Sequence, residues 1–145
     1  MKQKTIIGLK GTANVGKSMT LSSLGRQLRN ARGITSVDVT RGDYWAVFDY
    51  QGKKVGIQTY GDHVSHVRSG VTGFLNERCD IIVIASKTTG ATLNHVNQVA
   101  TTNDYRVFWA RPYEVRDRSI PVEDMKEYCA NHLRLMIDDI ISGIL

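Results

Sequence analysis

The chain has few of the residues that build disulfide frameworks, metal centres or membrane spans. Of its 145 residues only Cys79 and Cys129 are cysteine. Neither belongs to a Cys-x-x-Cys pair or has histidine at metal-ligand spacing, so both are interpreted as buried, reduced thiols and no zinc site is expected. No apolar run approaches the ~20 residues of a membrane helix, and Lys10 interrupts the short run near the N-terminus. We therefore expect a soluble, cytoplasmic protein.

Proline is equally scarce, and no linker, repeat or low-complexity tract divides the sequence, which carries only Pro112 and Pro121. The sequence therefore predicts one domain spanning residues 1–145, long enough to bury a single core. The chain has 19 basic and 14 acidic side chains, giving a net charge of +5. This excess suits a phosphate-bearing partner, but it is too small and too scattered to establish nucleic-acid binding.

Strands and helices alternate along the chain. Short β-branched or aromatic runs indicate strands at 5–9, 43–50, 53–60, 79–85 and 105–110. Apolar residues three or four positions apart indicate four helices. Their apolar residues are Leu21, Leu24, Leu28 and Ala31; Val64, Val67, Val71 and Phe74; Leu93, Val96 and Ala100; and Val122, Met125, Cys129, Leu133, Met136, Ile140 and Ile144.

This alternation predicts an α/β fold with three layers, in which helices cover both faces of a mainly parallel sheet. The pair Gln51-Gly52 separates two strand runs, and so tight a connection predicts a hairpin. The first strand of the hairpin is expected at an edge of the sheet, antiparallel to its neighbour. The run 79–85 is the most continuously apolar, which is typical of a central parallel strand.

The stretch Gly11-Thr12-Ala13-Asn14-Val15-Gly16-Lys17-Ser18 lies between the first predicted strand and the first predicted helix. Its two glycines allow the backbone to wrap with N–H groups pointing inward, and the helix adds the positive end of its dipole. A lysine at this spacing places a cation beside phosphate oxygens, and the serine hydroxyl is a ligand for Mg²⁺. The stretch therefore predicts a phosphate-binding loop.

The loop resembles the Walker A motif of the P-loop NTPases, and the α/β pattern extends this resemblance loosely over the chain. The resemblance implies the three-layer P-loop fold, ATP or GTP as ligand, and Mg²⁺ as cofactor. Lys17 would contact the β- and γ-phosphates, and Ser18 would bind the metal. The implied nucleotide-binding residues are Gly11, Thr12, Ala13, Asn14, Val15, Gly16, Lys17, Ser18 and Met19.

P-loop proteins also hold Mg²⁺ through an acidic residue at the end of a neighbouring strand, and Asp62 is the candidate for this role. It follows the strand 53–60, at the edge where open α/β sheets bind ligands. Alternatively, Asp62 caps a helix that begins at His63. Asp80 is a poorer candidate because it lies at the start of its strand. The usual acid of the strand is missing, and Gln58 stands near its position.

The hairpin resembles the switch region of small GTPases. Thr40 lies in the loop before it, and Gln58-Thr59-Tyr60-Gly61 stands in place of Asp-x-x-Gly. The guanine-reading Asn-Lys-x-Asp is replaced by Ser86-Lys87-Thr88-Thr89, so ATP is slightly favoured over GTP.

The sequence also resembles small kinases of the same fold. These carry an arginine-bearing lid, for which 111–118 is the candidate, with Arg111 reaching the phosphoryl oxygens.

The sequence does not identify a catalytic base, because Asp43, Asp62, His63 and Glu114 can all approach the predicted site. His63 and His66 lie one helical turn apart. They lack an acidic or cysteine partner at ligand spacing, so they are interpreted as surface residues.

Three functions are compatible with these residues. The first is Mg²⁺-dependent hydrolysis of a nucleoside triphosphate, stimulated by a protein partner. The second is a small kinase that transfers the γ-phosphoryl group, with Asp62 as base. The third is a non-enzymatic, nucleotide-dependent module that uses the helix from Val122 and the basic surface to engage a protein or nucleic acid.

Overall fold

The computed structural model describes residues 1–11, 16–30, 43–113, 117 and 119–145. Within these ranges the chain forms five strands and four helices, and each strand end lies within two residues of its predicted position. The elements are β1 (Thr5–Lys10), α1 (Lys17–Asn30), β2 (Trp45–Tyr50), β3 (Lys53–Gln58), α2 (Val64–Asn76), β4 (Ile81–Ser86), α3 (Ala91–Asn103), β5 (Arg106–Ala110) and α4 (Val122–Ser142).

The strands form one mixed sheet in the order β2-β3-β4-β1-β5. β1 pairs in parallel with both β4 and β5, and β3 pairs in parallel with β4. Only β2 runs antiparallel among these strands, at one edge, as the hairpin predicted. Gln51 and Gly52 have φ angles of 51° and 77°, the left-handed pair that a two-residue hairpin with the twist of the flanking strands requires.

The parallel pairing fixes where a ligand site can form. Because β1, β3 and β4 run in the same direction, their carboxyl ends open onto one edge of the sheet. α1 begins at this edge. The backbone N–H of Gly11 donates to the carbonyl oxygen of Ser86 at 3.1 Å, which joins the end of β1 to the end of β4.

Helices cover both faces of the sheet. α1 and α4 bury Leu21, Leu24 and Leu28 with the apolar face of α4 in one cluster, as the spacing predicted. α2 and α3 form the second cluster on the opposite face, with the predicted Val67, Val71, Phe74, Val96 and Ala100. None of the helices in the described ranges combines the length and the apolar character needed to cross a membrane.

The predicted apolar stripe of α4 is correct in its middle and wrong at its ends. Cys129, Leu133 and Ile140 are buried, but Val122 is 54% exposed and Ile144 is 69% exposed. Val122 begins the helix, and Ile144 follows the left-handed Gly143 that ends it, so neither lies over the sheet. The chain buries Ala130 and Ile137 instead.

The two cysteines are free and buried, as predicted. Burial raises the pKa of Cys79 from the usual 9.0 to about 12, and the nearby Glu77 carboxylate adds to the rise. Burial also raises the pKa of Cys129.

Because the thiolate is the reactive form, we expect iodoacetamide to modify neither cysteine near neutral pH until the chain unfolds. Because the folded state disfavours the Cys79 thiolate, its stability is fully present below pH 9.0 and decreases as the pH rises from 9.0 toward about 12. Mass spectrometry of alkylation with and without denaturant tests this expectation. Rapid labelling of the native protein at Cys79 would contradict it.

Candidate functional site

Lys17, the first residue of α1, turns its side chain toward the carboxyl edge of the sheet. Its ammonium donates hydrogen bonds to the carbonyl oxygens of Gly11 at 2.8 Å and Ser86 at 3.0 Å, and to Oδ1 of Asp62 at 2.9 Å. Three acceptors therefore match its three N–H groups, and only 6% of the side chain is exposed. The ends of β1 and β4 and the segment after β3 converge on one buried cation at the start of a helix.

Asp62 forms the outer side of this ion pair. Its side chain is 43% exposed, whereas that of Lys17 is almost completely buried. The alternative prediction, that Asp62 caps the next helix, is wrong: α2 begins at Val64, and its N-cap residue is His63, without a side-chain capping bond. An anion arriving from solvent can therefore compete with the Asp62 carboxylate for the Lys17 ammonium without uncapping α2.

A second cluster of polar side chains surrounds Ser18, the residue that follows Lys17 in α1. The Ser18 hydroxyl donates to Oδ1 of Asp43 at 2.5 Å, and the Thr59 hydroxyl donates to the same oxygen at 3.0 Å. The N–H of Tyr44 donates to the Thr59 hydroxyl at 2.9 Å. One carboxylate and two hydroxyls thus meet at one point, and oxygen ligands of this kind are the ones that Mg²⁺ binds.

The hairpin explains why Thr59, and not Gln58, reaches Ser18. Successive side chains of a strand point to opposite faces, and β3 sends Val55 and Ile57 toward the α1 side. Thr59 continues this series. Gln58 points to the other face, where its amide nitrogen donates to the carbonyl oxygens of Tyr60 and His66. Gln58 therefore does not occupy the place of an acidic site residue.

The carboxylate beside Ser18 comes from the start of β2. Asp43 lies two residues before the antiparallel edge strand, whose beginning lies next to the end of β3. No hydrogen bond between the described atoms joins Ser18 to Asp62, so the two residues predicted to share a metal lie in two adjacent groups. The sequence identified Asp43 only as one of several candidate bases. The signal for its position is that a strand antiparallel to β3 must begin where β3 ends.

A cavity of about 520 Å³ opens beside Ser18 and Asp43 and extends between α1 and the first turns of α4. Its size falls within the range of small-molecule sites. All but one of its lining residues are polar or charged, although apolar atoms contribute much of the surface; the lining residues are Ser18, Met19, Ser22, Ser23, Arg26, Asp43, Glu123, Lys126 and Glu127. The Glu127 carboxylate already accepts hydrogen bonds from Ser23 and Gln27.

Other predicted residues lie outside these contacts or outside the described residues. Arg111 follows β5 and is exposed, while its carbonyl oxygen accepts a long bond from Sγ of Cys129. His63 and His66 are exposed, as predicted. The predicted loop residues Thr12, Ala13, Asn14 and Val15, and also Ala31, Thr40 and Glu114, lie outside the described residues. Asp80 lies at the opposite edge of the sheet, away from Lys17, where its carboxylate accepts a hydrogen bond from the N–H of Lys54.

Lys126 lines the cavity, and nothing in the sequence alone had singled it out. It is 7% exposed and lies on the buried face of α4, one turn before Cys129 and Ala130. The apolar residues of α4 predict its buried face, and a charged residue such as Lys126 is not counted among them. Lys126 could have been identified from its position, because it lies on the same helical face as Cys129, Ala130 and Leu133, and lysines are rarely buried on such a face.

No protein-family model, curated protein or solved structure matches this chain. Function is therefore inferred from the geometry of the described residues and from the sequence of the loop between β1 and α1.

Proposed function

We propose that the protein has the three-layer P-loop fold and binds a nucleoside triphosphate with Mg²⁺ at the carboxyl edge of its sheet. The proposed reaction is hydrolysis of the β–γ bond, with ATP slightly favoured over GTP. The observation that carries the proposal is the buried Lys17 ammonium, held at the N-terminus of α1 by the carbonyl oxygens of Gly11 and Ser86. A buried cation and the positive end of a helix dipole together favour a polyphosphate.

In this proposal the phosphates replace the Asp62 carboxylate on Lys17. The partial exposure of Asp62 supports this exchange, because its carboxylate can leave the ammonium and stay at the solvent-exposed side of the site while the two carbonyl oxygens keep the lysine in place. The released carboxylate then lies near the γ-phosphate, where it can orient or deprotonate the attacking water. Asp62 is accordingly the candidate base.

The donor set beside α1 fits a hard cation. Ser18 and Asp43 would hold Mg²⁺, with Thr59 orienting the Asp43 carboxylate. The metal, when bound, supplies charge neutralisation of the β- and γ-phosphates. The position of the Asp43 carboxylate is fixed before any metal binds, because it accepts hydrogen bonds from Ser18 of α1 and from Thr59, which follows β3.

Thermal unfolding with ATP, GTP and their non-hydrolysable analogues, with and without Mg²⁺, tests the binding step. We expect a nucleoside triphosphate to raise the melting temperature and Mg²⁺ to enlarge the shift, since ligand at 100 times its Kd adds about 2.7 kcal/mol of stability. The ranking of ATP against GTP gives the base preference. The absence of any shift with either triphosphate would contradict the proposal.

Phosphate release then separates hydrolysis from its alternatives. Release without an added acceptor supports hydrolysis. Formation of ADP that depends on a nucleoside, nucleotide or sugar acceptor would indicate the small kinase instead. Tight binding without turnover, alone or with a partner, would indicate the non-enzymatic interaction module.

A further inference from the structure

Lys126 brings a second buried cation to the proposed phosphate site. Its ammonium donates to the carbonyl oxygen of Tyr113 at 3.4 Å, which connects the first turns of α4 to the segment after β5. Its side chain also lines the cavity that contains Ser18 and Asp43. A lysine is rarely buried in a fold unless an anion or a set of polar groups is there to meet it.

Lys126 packs directly against the phosphate loop. Gly16, the residue before Lys17, has a φ angle of +87°, and a Cβ atom built on it would lie 2.1 Å from Cε and 2.6 Å from Nζ of Lys126. The glycine therefore serves two purposes: it allows the left-handed backbone and it leaves room for the lysine. The side chain of Lys126 occupies the space that any other residue at position 16 would need.

The two lysines reach the same turn of backbone from different sides. Lys17 points toward the ends of β1 and β4, whereas Lys126 comes from α4. A polyphosphate at this turn can therefore accept hydrogen bonds from both ammonium groups once it has replaced the Asp62 carboxylate on Lys17. An ammonium carries three N–H donors and no acceptor, and the phosphate oxygens of a nucleotide are hydrogen-bond acceptors at neutral pH. The two groups are therefore complementary.

We propose that Lys126 is a second phosphate-binding residue, which contacts the polyphosphate chain of the nucleotide from the α4 side. This inference rests on the proposed function and adds to it a contact outside the Walker A motif.

The test compares ATP with inorganic tripolyphosphate, which lacks the nucleoside. Isothermal titration calorimetry with Mg²⁺ measures both affinities for wild type, Lys126→Ala, Lys126→Arg and the exposed control Lys2→Ala. We expect Lys126→Ala to lower both affinities by the same factor, about 10- to 100-fold, as for the loss of a charged hydrogen bond. Lys126→Arg should recover part of the loss, and the salt dependence of binding should become less steep in Lys126→Ala. Lys2→Ala should bind as wild type does.

The outcomes separate this inference from the proposed function. Wild-type affinity in Lys126→Ala, with binding lost in Lys17→Ala, would overturn the inference alone. A lower melting temperature of ligand-free Lys126→Ala with unchanged affinities would likewise show a purely structural lysine. A loss for ATP but not for tripolyphosphate would place the contact on the nucleoside. Failure of wild type to bind either ligand would overturn the proposed function together with the inference.

Discussion

Lys17→Ala is expected to lower the rate of triphosphate hydrolysis by about 10²- to 10³-fold, the loss typical of removing one preorganised charged donor from a reaction site. The ammonium is held where β1 and β4 end and α1 begins, so a phosphate that displaces the Asp62 carboxylate meets a donor that is already in position. Alanine removes the cation and leaves the positive end of the helix dipole in place. Triphosphate affinity should therefore also fall.

The same substitution has a cost for folding that must be measured separately. The carbonyl oxygens of Gly11 and Ser86 lose a charged donor, and Asp62 loses its partner, so we expect the free energy of unfolding to fall by about 1–3 kcal/mol. Lys17→Arg keeps the charge but not the shape of the donor, and Lys2→Ala serves as an exposed control. Denaturant unfolding sets the conditions under which all variants are folded for assay. Normal turnover and nucleotide affinity in folded Lys17→Ala would contradict the expectation.

The elements of the fold could be predicted from the sequence because each has a local signal. The helices show a period of three to four residues, and β4 shows a continuous apolar run that the structure buries at all six positions. The order of the strands has no such signal. That β4 lies between β3 and β1 follows from tertiary packing, and this order is what brings the Ser86 carbonyl oxygen to Lys17.

The candidate site likewise contains residues with a local sequence signal and residues whose position depends on tertiary packing. Lys17 and Ser18 could be identified because the spacing of the loop between a strand and a helix is a local pattern. Asp62 could be placed at this edge because it follows a predicted strand, but the carboxylate that meets Ser18 could not be identified, because its place depends on which strands pair and on which face a side chain emerges. Asp62 reaches Lys17 from the end of β3, whereas Asp43 reaches Ser18 from the start of the antiparallel strand.

Asp43→Asn is expected to raise the Mg²⁺ concentration required for hydrolysis by about 10- to 100-fold, the size of effect seen when a metal site loses a supporting contact, and Asp43→Ala by at least as much. The carboxylate accepts hydrogen bonds from the hydroxyls of Ser18 and Thr59. Asparagine keeps an oxygen that can accept both bonds and removes only the negative charge. The loss in the asparagine variant therefore reports on the metal, because the hairpin stays attached to α1.

Two other carboxylates make this prediction specific. Asp49 is exposed on the same strand β2, opposite Lys54 and remote from Ser18, so Asp49→Asn should leave the Mg²⁺ dependence unchanged. Asp62→Asn tests the competing assignment drawn from the P-loop resemblance, and it should alter turnover more than the requirement for Mg²⁺, since Asp62 faces Lys17. The measurement is hydrolysis rate against Mg²⁺ concentration at saturating nucleotide. If Asp62→Asn shifts that curve and Asp43→Asn does not, the metal lies on the Asp62 side of the site, and the Ser18–Asp43 contact only fastens the hairpin to α1.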